Sequence, residues 1–217
     1  NKHIVTTAIE HHAVLNCMKE LEAQGFEVTY LKPEKSGAVS AQAVENALRA
    51  DTILVSLMLV NNETGALYPV ADVFRAAKAA NPDCICHCDA VQGFLKLPFQ
   101  ARTLGADFIT ISGHKLGAPK GVGALYVSVA ALKRRDIVPT LLGGGQEGGF
   151  RSGTENVLGI AAFGAAVALG ADEIEFDVWK TKDGVLVSAH DCDLERVSNG
   201  TGKIYEHTYA ELLELDF

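Results

Sequence analysis

The 217-residue sequence is short of tryptophan, methionine and proline, with one, two and six copies respectively. It has no apolar run of the roughly 18 residues that a membrane-spanning helix needs, and its first residues, N-K-H-I-V-T-T, have no signal-peptide pattern. Positive charge is in the minority, since 19 lysines and arginines face 27 aspartates and glutamates, for a net charge of -8 without a long basic run. These absences argue against nucleic acid or an anionic membrane as a partner, and we expect a cytoplasmic protein.

Cysteine is also scarce, and its spacing is unusual. Three of the five cysteines, Cys84, Cys86 and Cys88, alternate along an apolar run, so a strand would project them from one face. A zinc site is conceivable, although zinc prefers cysteine pairs on loops that fold around the ion. An odd number of cysteines without a secretory pattern indicates reduced thiols rather than a disulfide framework. We therefore expect buried structural thiols.

Apolar runs and helical spacings alternate along the chain. Hydrophobic residues make up 48% of the sequence and charged residues 21%, which is typical of one globular domain or two small ones. Strands are predicted at 4–8, 26–31, 52–60, 84–88, 107–111 and 121–129, helices near 14–21, 40–50, 69–81, 99–104 and 155–169, and residues 129–136 stay undecided. This alternation predicts an α/β fold with a mainly parallel sheet and helices on both faces.

One predicted strand end carries a lysine. The β-branched run from Phe108 to Ile111 is followed by Ser112-Gly113-His114-Lys115, and ligands of parallel α/β sheets bind at the carboxyl ends of the strands. A lysine held there is partly desolvated, so its neutral amine can form a Schiff base with an aldehyde. The alternative is a surface lysine on a glycine-rich turn.

A second strand end carries an acid. The run of cysteines ends at Asp89, and Gln92 follows three residues later. A pyridoxal phosphate enzyme needs a lysine for the aldehyde, an acid that keeps the pyridine nitrogen protonated, and neutral donors for the ring oxygen and the phosphate. The two strand ends together therefore predict a pyridoxal phosphate site.

Five segments, in order along the chain, resemble the cysteine desulfurases, which are fold-type I pyridoxal phosphate enzymes. These segments are T-A-I-E-H-H, V-N-N-E-T-G, H-C-D-A-V-Q, S-G-H-K and G-G-F-R-S-G-T-E-N, and the resemblance runs from about Asn1 to Ala168. It implies the large domain of that fold, mobilisation of sulfur from cysteine as in iron–sulfur cluster assembly, and a homodimer.

The resemblance also implies a role for each matching residue. Lys115 would form the Schiff base, and Asp89 would pair with the pyridine nitrogen. Gln92 and Asn62 would lie near the ring oxygen, and His11 would stack on the ring as a catalytic residue. Ser112 and His114 would hold the phosphate, and Thr154 would reach the phosphate of the partner subunit. Simpler alternatives stay open: His11 or His12 in the first turn of a helix, Asn62 in a turn, and Ser112 as a cap. The glycines from 143 to 153 either let the backbone approach a ligand or another chain, or form a flexible solvent loop.

Two features of the family have no counterpart here. The cysteine that attacks the substrate sulfur and the arginine that binds the substrate carboxylate belong to its later part, and the sequence departs from the family after about Leu169. None of Cys17, Cys84, Cys86, Cys88 and Cys192 lies in a matching motif. We therefore expect an impaired, truncated enzyme.

From about Leu169 the sequence resembles a different family. The run G-A-D-E-I-E-F-D-V-W-K-T-K-D-G-V-L-V-S-A-H-D-C-D-L-E-R-V-S-N-G-T-G is similar to glycerophosphodiester phosphodiesterases, which are metal-dependent TIM-barrel enzymes. Glu175 and Asp177 alternate on one predicted strand, so both carboxylates can reach one calcium or magnesium ion. His190 is a candidate general acid or base. The alternative is a solvated acidic strand and a loop histidine.

The two resemblances predict two domains. Residues 1–168 would form a pyridoxal phosphate-binding fragment, and residues 169–217 a short β-rich segment like part of a TIM barrel. About 49 residues cannot close a barrel that normally takes about 250. Three functions remain open at this point: a cysteine desulfurase-like protein, a metal-dependent phosphodiesterase, and a fusion without catalysis.

Overall fold

The computed structural model describes residues 2–170, 178–189 and 191–216. Contacts divide the chain into two compact units, Asn1–Asn61 with Ala66–Glu173 and Asn62–Gly65 with Ile174–Phe217. None of the helices in the described ranges combines the length and apolar character that crossing a bilayer requires.

The first unit is built on a six-stranded sheet with the order β2-β1-β3-β4-β5-β6. The strands are β1 (His3–Thr7), β2 (Glu27–Leu31), β3 (Thr52–Met58), β4 (Ile85–Asp89), β5 (Phe108–Ser112) and β6 (Gly123–Val127). The first five pair in parallel, whereas β6 runs antiparallel to β5. The predicted mainly parallel α/β sheet is confirmed, and its one reversal lies at the β6 edge.

Helices cover both faces of this sheet. On one face lies α1 (His12–Ala23), whose Val14 and Met18 pack against Ile4 of β1. On the other face lie α2 (Ala41–Ala47), α3 (Val70–Ala80) and α4 (Ala101–Leu104), which close the larger hydrophobic core. The segment that the sequence left undecided forms α5 (Val129–Arg134), with the Ser128 side chain as its N-cap, and α6 (Val157–Leu169) follows a glycine-rich segment.

The three alternating cysteines belong to the larger core. Cys84, Cys86 and Cys88 are each 0% exposed, and their side chains lie on the sheet face covered by α2, α3 and α4. Val55 and Leu57, the register partners of Cys86 and Cys88 on β3, are buried in the same cluster. The prediction of buried thiols is confirmed, because cysteine here occupies positions of a small hydrophobic side chain.

The second unit has a small core of its own. Two short strands, β7 (Val178–Lys180) and β8 (Leu186–Ser188), pair antiparallel, and α7 (Leu194–Val197) and α8 (Tyr209–Leu212) follow. The buried members of its core are Ala189, Leu194, Ile204 and Leu212. The Trp179 indole N–H donates to the Ala189 carbonyl at 2.8 Å and so ties the hairpin to this core.

Candidate active site

The carboxyl ends of neighbouring parallel strands supply the candidate site of the first unit. Beyond β1 the chain continues into Glu10 and His11, β4 ends at Asp89, and β5 ends at Ser112. A 3-10 turn from Gly113 to Leu116 directly follows β5 and carries Lys115, which is half-buried. Parallel pairing places these strand ends at one edge of the sheet, where α/β proteins bind their ligands.

Asp89 is held rigidly at the end of β4. It is 7% exposed, and its register partners are Met58 on β3 and Thr110 on β5. Its Oδ1 accepts a hydrogen bond from the Val91 N–H at 2.9 Å, and its backbone carbonyl accepts from the Leu59 N–H at 2.8 Å. The carboxylate is therefore a fixed acceptor rather than a mobile surface group.

A row of hydrogen bonds crosses the sheet at the level of His87, two residues before Asp89. His87 lies on the same face of β4 as Asp89, and its Nδ1 is 2.7 Å from the Ser56 Oγ. Its Nε2 is 3.3 Å from the Thr110 Oγ1. Burial lowers the pKa of His87, so the ring is neutral at pH 7. The neutral imidazole bridges β3 and β5 and supports the strand end that carries Asp89.

Ser112 and His114 line an open hollow beside Lys115. The Ser112 Oγ and the His114 Nδ1 are 2.7 Å apart, and the other lining residues are Lys120, Gly121, Val122 and Gly123. A hydroxyl, an imidazole, an ammonium group and glycine backbone form a set that suits a phosphate group. Lys120 was not among the residues predicted from the sequence; its position between Pro119 and Gly121 in a glycine-rich segment was the available signal.

Close backbone approach explains two glycines around this hollow. A Cβ on Gly123 would lie 2.6 Å from the Ile111 carbonyl oxygen, and a Cβ on Gly113 would lie 2.9 Å from the Val122 carbonyl oxygen. The Gly113 N–H donates to that same Val122 carbonyl at 2.9 Å. β6 can therefore return tightly beside β5, and this return forms the wall of the hollow.

The other residues predicted for the coenzyme site lie in different elements of the chain. The Gln92 side-chain oxygen accepts from Lys96 Nζ at 2.9 Å. His11 is exposed and is the N-cap of α1, where its Nδ1 accepts from the Ala13 N–H at 3.2 Å. Thr154 is exposed in the segment before α6, and Asn62 belongs to the second unit. The helix-end alternative for His11 thus describes its position, and its stacking role stays a prediction.

Glu10 is a buried residue of the site that the sequence did not single out. It is 4% exposed, and its Oε1 accepts from the Met58 N–H at 3.0 Å and from the Thr7 hydroxyl at 2.9 Å. Burial raises the pKa of Glu10 to about 8. The residue appeared in the T-A-I-E-H-H segment only as a neighbour of His11.

The predicted cation site of the second unit falls outside the described residues. Glu175, Asp177 and His190 all lie there, so their roles as metal ligands and as a general acid or base stay predictions. Within the ranges that are described, no three histidine, cysteine, aspartate or glutamate side chains come together as a metal site.

The chemistry of the first unit's donor set fits pyridoxal phosphate. Asp89 offers a buried carboxylate for a ring nitrogen, Lys115 offers an amine for an aldehyde, and Ser112 with His114 offers donors for a phosphate. Ser112 lies two residues beyond Thr110, the register partner of Asp89, which separates the two ends by about 6–7 Å along the strands. The acid, the amine and the phosphate donors therefore lie at separate positions along one edge of the sheet.

Comparisons with known proteins bear on the fold and the family of the chain. The class-V aminotransferase family profile matches residues 1–201. The cysteine desulfurase IscS of Anaeromyxobacter dehalogenans is 51% identical over 168 residues, which cover 77% of this chain and 41% of that protein. A cysteine desulfurase of Nostoc sp. is 39% identical over an alignment of 226 positions, which covers 99% of this chain and 55% of the relative. The chain thus spans about half the length of these curated relatives.

Solved structures of other proteins are similar in fold to this chain. A NifS-like protein superposes with a TM-score of 0.72 at 42% identity, covering 78% of this chain and 45% of that one. A structure described as SspA in complex with cysteine superposes with a TM-score of 0.75 at 36% identity, covering 90% of this chain and 61% of that one.

Proposed function

This chain belongs to the class-V aminotransferase family, and on that basis we propose that its first unit is the coenzyme-binding part of a pyridoxal phosphate-dependent cysteine desulfurase. One observation carries the proposal: Asp89 ends β4 and the turn with Lys115 follows β5, so both lie at the same edge of the sheet on adjacent parallel strands. The relatives named cysteine desulfurase support this function, and they give no support to a phosphodiesterase or to an inert fusion for the chain as a whole.

Each residue of the site would have a separate task in holding the coenzyme. Asp89 would bind the ring nitrogen, Lys115 would bond to the aldehyde carbon, and Ser112, His114 and Lys120 would bind the phosphate. When bound, pyridoxal phosphate supplies an electron sink that weakens bonds at the α-carbon of an attached amino acid. The neutral His87 would keep Asp89 in place, since it bridges the strands on either side.

The proposed substrate is cysteine, and release of its sulfur needs a thiolate nucleophile. Cys84, Cys86 and Cys88 are buried on the face covered by α2, α3 and α4, whereas Asp89 lies at a strand end on the α1 side. Burial also raises the pKa of the Cys88 thiol above its ordinary value. We propose that these three thiols are structural and do not supply the sulfur-attacking group.

Covalent labelling tests the coenzyme proposal. Pyridoxal phosphate added to the chain should give a visible absorbance band, and borohydride reduction followed by peptide mapping should find the label on Lys115. Lys115→Ala should remove the band and the label while the protein stays folded. Lys19→Ala, at an exposed position on α1, is the matched control and should keep both. Label on another lysine, or no label on folded protein, would overturn the proposal.

A homodimer and a cytoplasmic location are further parts of the proposal. Val157 and Leu158 at the start of α6 are 68% and 86% exposed, which supports a protein partner on that helix. Thr154 lies three residues earlier, so its proposed contact with the phosphate of a partner subunit involves the same segment. Sedimentation of the chain and of Leu158→Glu tests this, because a dimer through α6 should dissociate in the variant and an unchanged mass would contradict it.

A phosphodiesterase-like origin of residues 169–217 is a separate proposal. The division between Glu173 and Ile174 lies close to the predicted domain boundary, which favours it. The class-V profile, however, extends to residue 201. Two carboxylates fill only part of a calcium shell of six to eight oxygens, so we expect at most weak binding. Calorimetry with calcium on the chain and on Asp177→Asn, beside a glycerophosphodiester assay with His190→Ala, would reveal tight binding or turnover if this expectation is wrong.

A further inference from the structure

Strand β1 ends before the neighbouring strand β3 does, and Glu10 occupies the resulting gap beside the end of β3. Strand β1 ends at Thr7, so the Met58 N–H near the end of β3 has no β1 carbonyl to pair with, and Glu10 Oε1 accepts its hydrogen bond at 3.0 Å. The next N–H, on Leu59 directly after β3, donates to the Asp89 carbonyl of β4 at 2.8 Å, on the other side of the chain. The end of β3 therefore lies between Glu10 and Asp89.

The second oxygen of Glu10 is buried and unsatisfied. Oε2 has no hydrogen-bond partner in the described part of the chain. An ionised Oε2 would be a buried charge without a donor, which is far more costly than a buried hydroxyl with one unmade hydrogen bond. Asp89 is the register partner of Met58, whose N–H donates to Glu10, so a charge on Asp89 would add to the cost of ionising Glu10. Burial is therefore the main reason for Glu10 to keep a proton, and a charge on Asp89 adds to it.

We infer that Glu10 is a positioning residue of the coenzyme site, which enters the site as a neutral acid beside Asp89 so that a single carboxylate charge faces the ring nitrogen. The inference rests on the proposed function, because the ring nitrogen belongs to the proposed coenzyme. It assigns the proton to Glu10 and the charge to Asp89, whose Oδ1 is stabilised by the Val91 N–H.

The electrostatics of the neighbouring groups agree with this assignment. Burial raises the pKa of Glu10 to about 8 and the Asp89 charge adds to the rise, whereas the hydrogen bonds from Met58 and Thr7 act in the opposite direction. The other titratable groups that respond to Glu10 are Tyr68, whose pKa burial raises to about 12, and the buried thiol of Cys88. Both are neutral between pH 6 and 9, so neither adds a charge beside Glu10.

Coenzyme binding and the Glu10 proton are therefore linked. If Asp89 holds a protonated ring nitrogen, its positive charge would favour the ionised form of Glu10 and lower the pKa of Glu10. By reciprocity, ionising Glu10 must strengthen coenzyme binding, by about tenfold for each unit by which the coenzyme lowers that pKa. Glu10→Gln keeps an oxygen for Met58 and Thr7 but cannot ionise, so it removes this linkage without opening the fold.

A carboxyl titration tests the inference directly. In the chain labelled with carbon-13 at glutamate side-chain carboxyls, the signal lost in Glu10→Gln identifies Glu10. We expect its midpoint near pH 8, a lower midpoint in Asp89→Asn, and a lower midpoint again after pyridoxal phosphate is added to the unsubstituted chain. A midpoint near 4.5, or one that neither Asp89→Asn nor the coenzyme moves, would overturn the inference.

Affinity measurements separate a positioning role from a purely structural one. The ratio of the pyridoxal phosphate dissociation constants of Glu10→Gln and the unsubstituted chain should stay within about threefold at pH 6 and rise by up to about tenfold at pH 9. A ratio equal at both pH values would show that Glu10 only fills the gap beside β3. Glu45→Gln, at an exposed position on α2, is the matched control and should show a ratio near one throughout.

The outcomes also distinguish this inference from the proposed function. If coenzyme does not attach to Lys115, the proposed function fails, while the titration of the coenzyme-free chain and of Asp89→Asn still decides whether Glu10 and Asp89 share one charge. If coenzyme attaches and the Glu10 midpoint stays fixed, the inference alone fails.

Discussion

Lys78 and Asp107 form an ion pair, 2.7 Å from Nζ to Oδ2, at the amino end of β5 and thus at the edge of the sheet opposite the coenzyme site. The same carboxylate accepts from the Cys86 N–H at 3.0 Å and from Arg134 Nη2 at 2.9 Å. Residues of α3, β4 and α5 therefore meet on one side chain that is 6% exposed. This cluster fixes the strand on which the lysine-bearing turn is built.

Asp107→Asn should destabilise the first unit. The substitution leaves Lys78 and Arg134 without their shared charge. Because both are partly exposed, we expect the free energy of unfolding to fall by about 2–3 kcal/mol, which is less than the loss of about 3–5 kcal/mol expected for a fully buried pair. Urea denaturation measures this. Asp83→Asn, at an exposed position before β4, is the control and should change stability by less than about 0.5 kcal/mol.

Asp107 also predicts a loss of stability in acid. Burial pushes its pKa up, but the hydrogen bonds from Lys78, Cys86 and Arg134 outweigh burial and hold the pKa below its ordinary value of 3.8. Its stabilisation is therefore present above that value and is lost as pH falls through the lowered pKa. Denaturation midpoints of the unsubstituted chain and Asp107→Asn should converge below pH 3.8, and a constant gap would contradict this.

Glu10 predicts the opposite trend in a higher pH window. Its pKa is raised from 4.5 to about 8, mainly by burial, so the folded state holds a proton that the unfolded chain releases. The free energy of unfolding should therefore fall as pH rises from 4.5 to about 8, by up to about 1.4 kcal/mol per pH unit from this group. Comparing urea denaturation of the unsubstituted chain and Glu10→Gln at several pH values checks this, since parallel profiles would show that Glu10 titrates normally.

Gly123→Ala should damage both the fold and the phosphate hollow. The added methyl group would lie 2.6 Å from the Ile111 carbonyl oxygen, so β6 must move away from β5. We expect a cost of about 1–3 kcal/mol and weaker pyridoxal phosphate binding. Gly164→Ala is the matched control, because nothing lies within 4 Å of its added methyl group and alanine favours the helix α6. Equal stabilities of the two variants would argue against the tight return of β6.

The chain should release no sulfide from cysteine above background, even with coenzyme bound. Three of its thiols, Cys84, Cys86 and Cys88, are buried in the core, and none of the five lies in the family's nucleophile motif. A sulfide assay with added cysteine and pyridoxal phosphate measures this. Sustained turnover would contradict the expectation, and its loss in either Cys17→Ser or Cys192→Ser would then identify the nucleophile.

Sequence patterns determined much of the fold, because they report local properties of the chain. Short apolar runs predicted the parallel strands, and residues such as Ser40 and Gly170 marked helix ends that the structure places at the same positions. Lys115 and Asp89 were predicted for the coenzyme site because Asp89 ends one apolar run and Lys115 lies in the turn after another, and strand ends in a parallel sheet must lie at a common edge.

Only the tertiary structure decided the features that depend on which strands are neighbours. The sequence gives no direction for β6, since an antiparallel return beside β5 depends on the close approach at Gly123. Asp107 is one acidic residue among 27 until folding brings Lys78 and Arg134 to it. Glu10 is an ordinary acid in the sequence, and folding buries it and brings its side chain to the Met58 N–H beyond the end of β1. Burial and charge proximity are set by long-range packing, and that packing is what local patterns do not record.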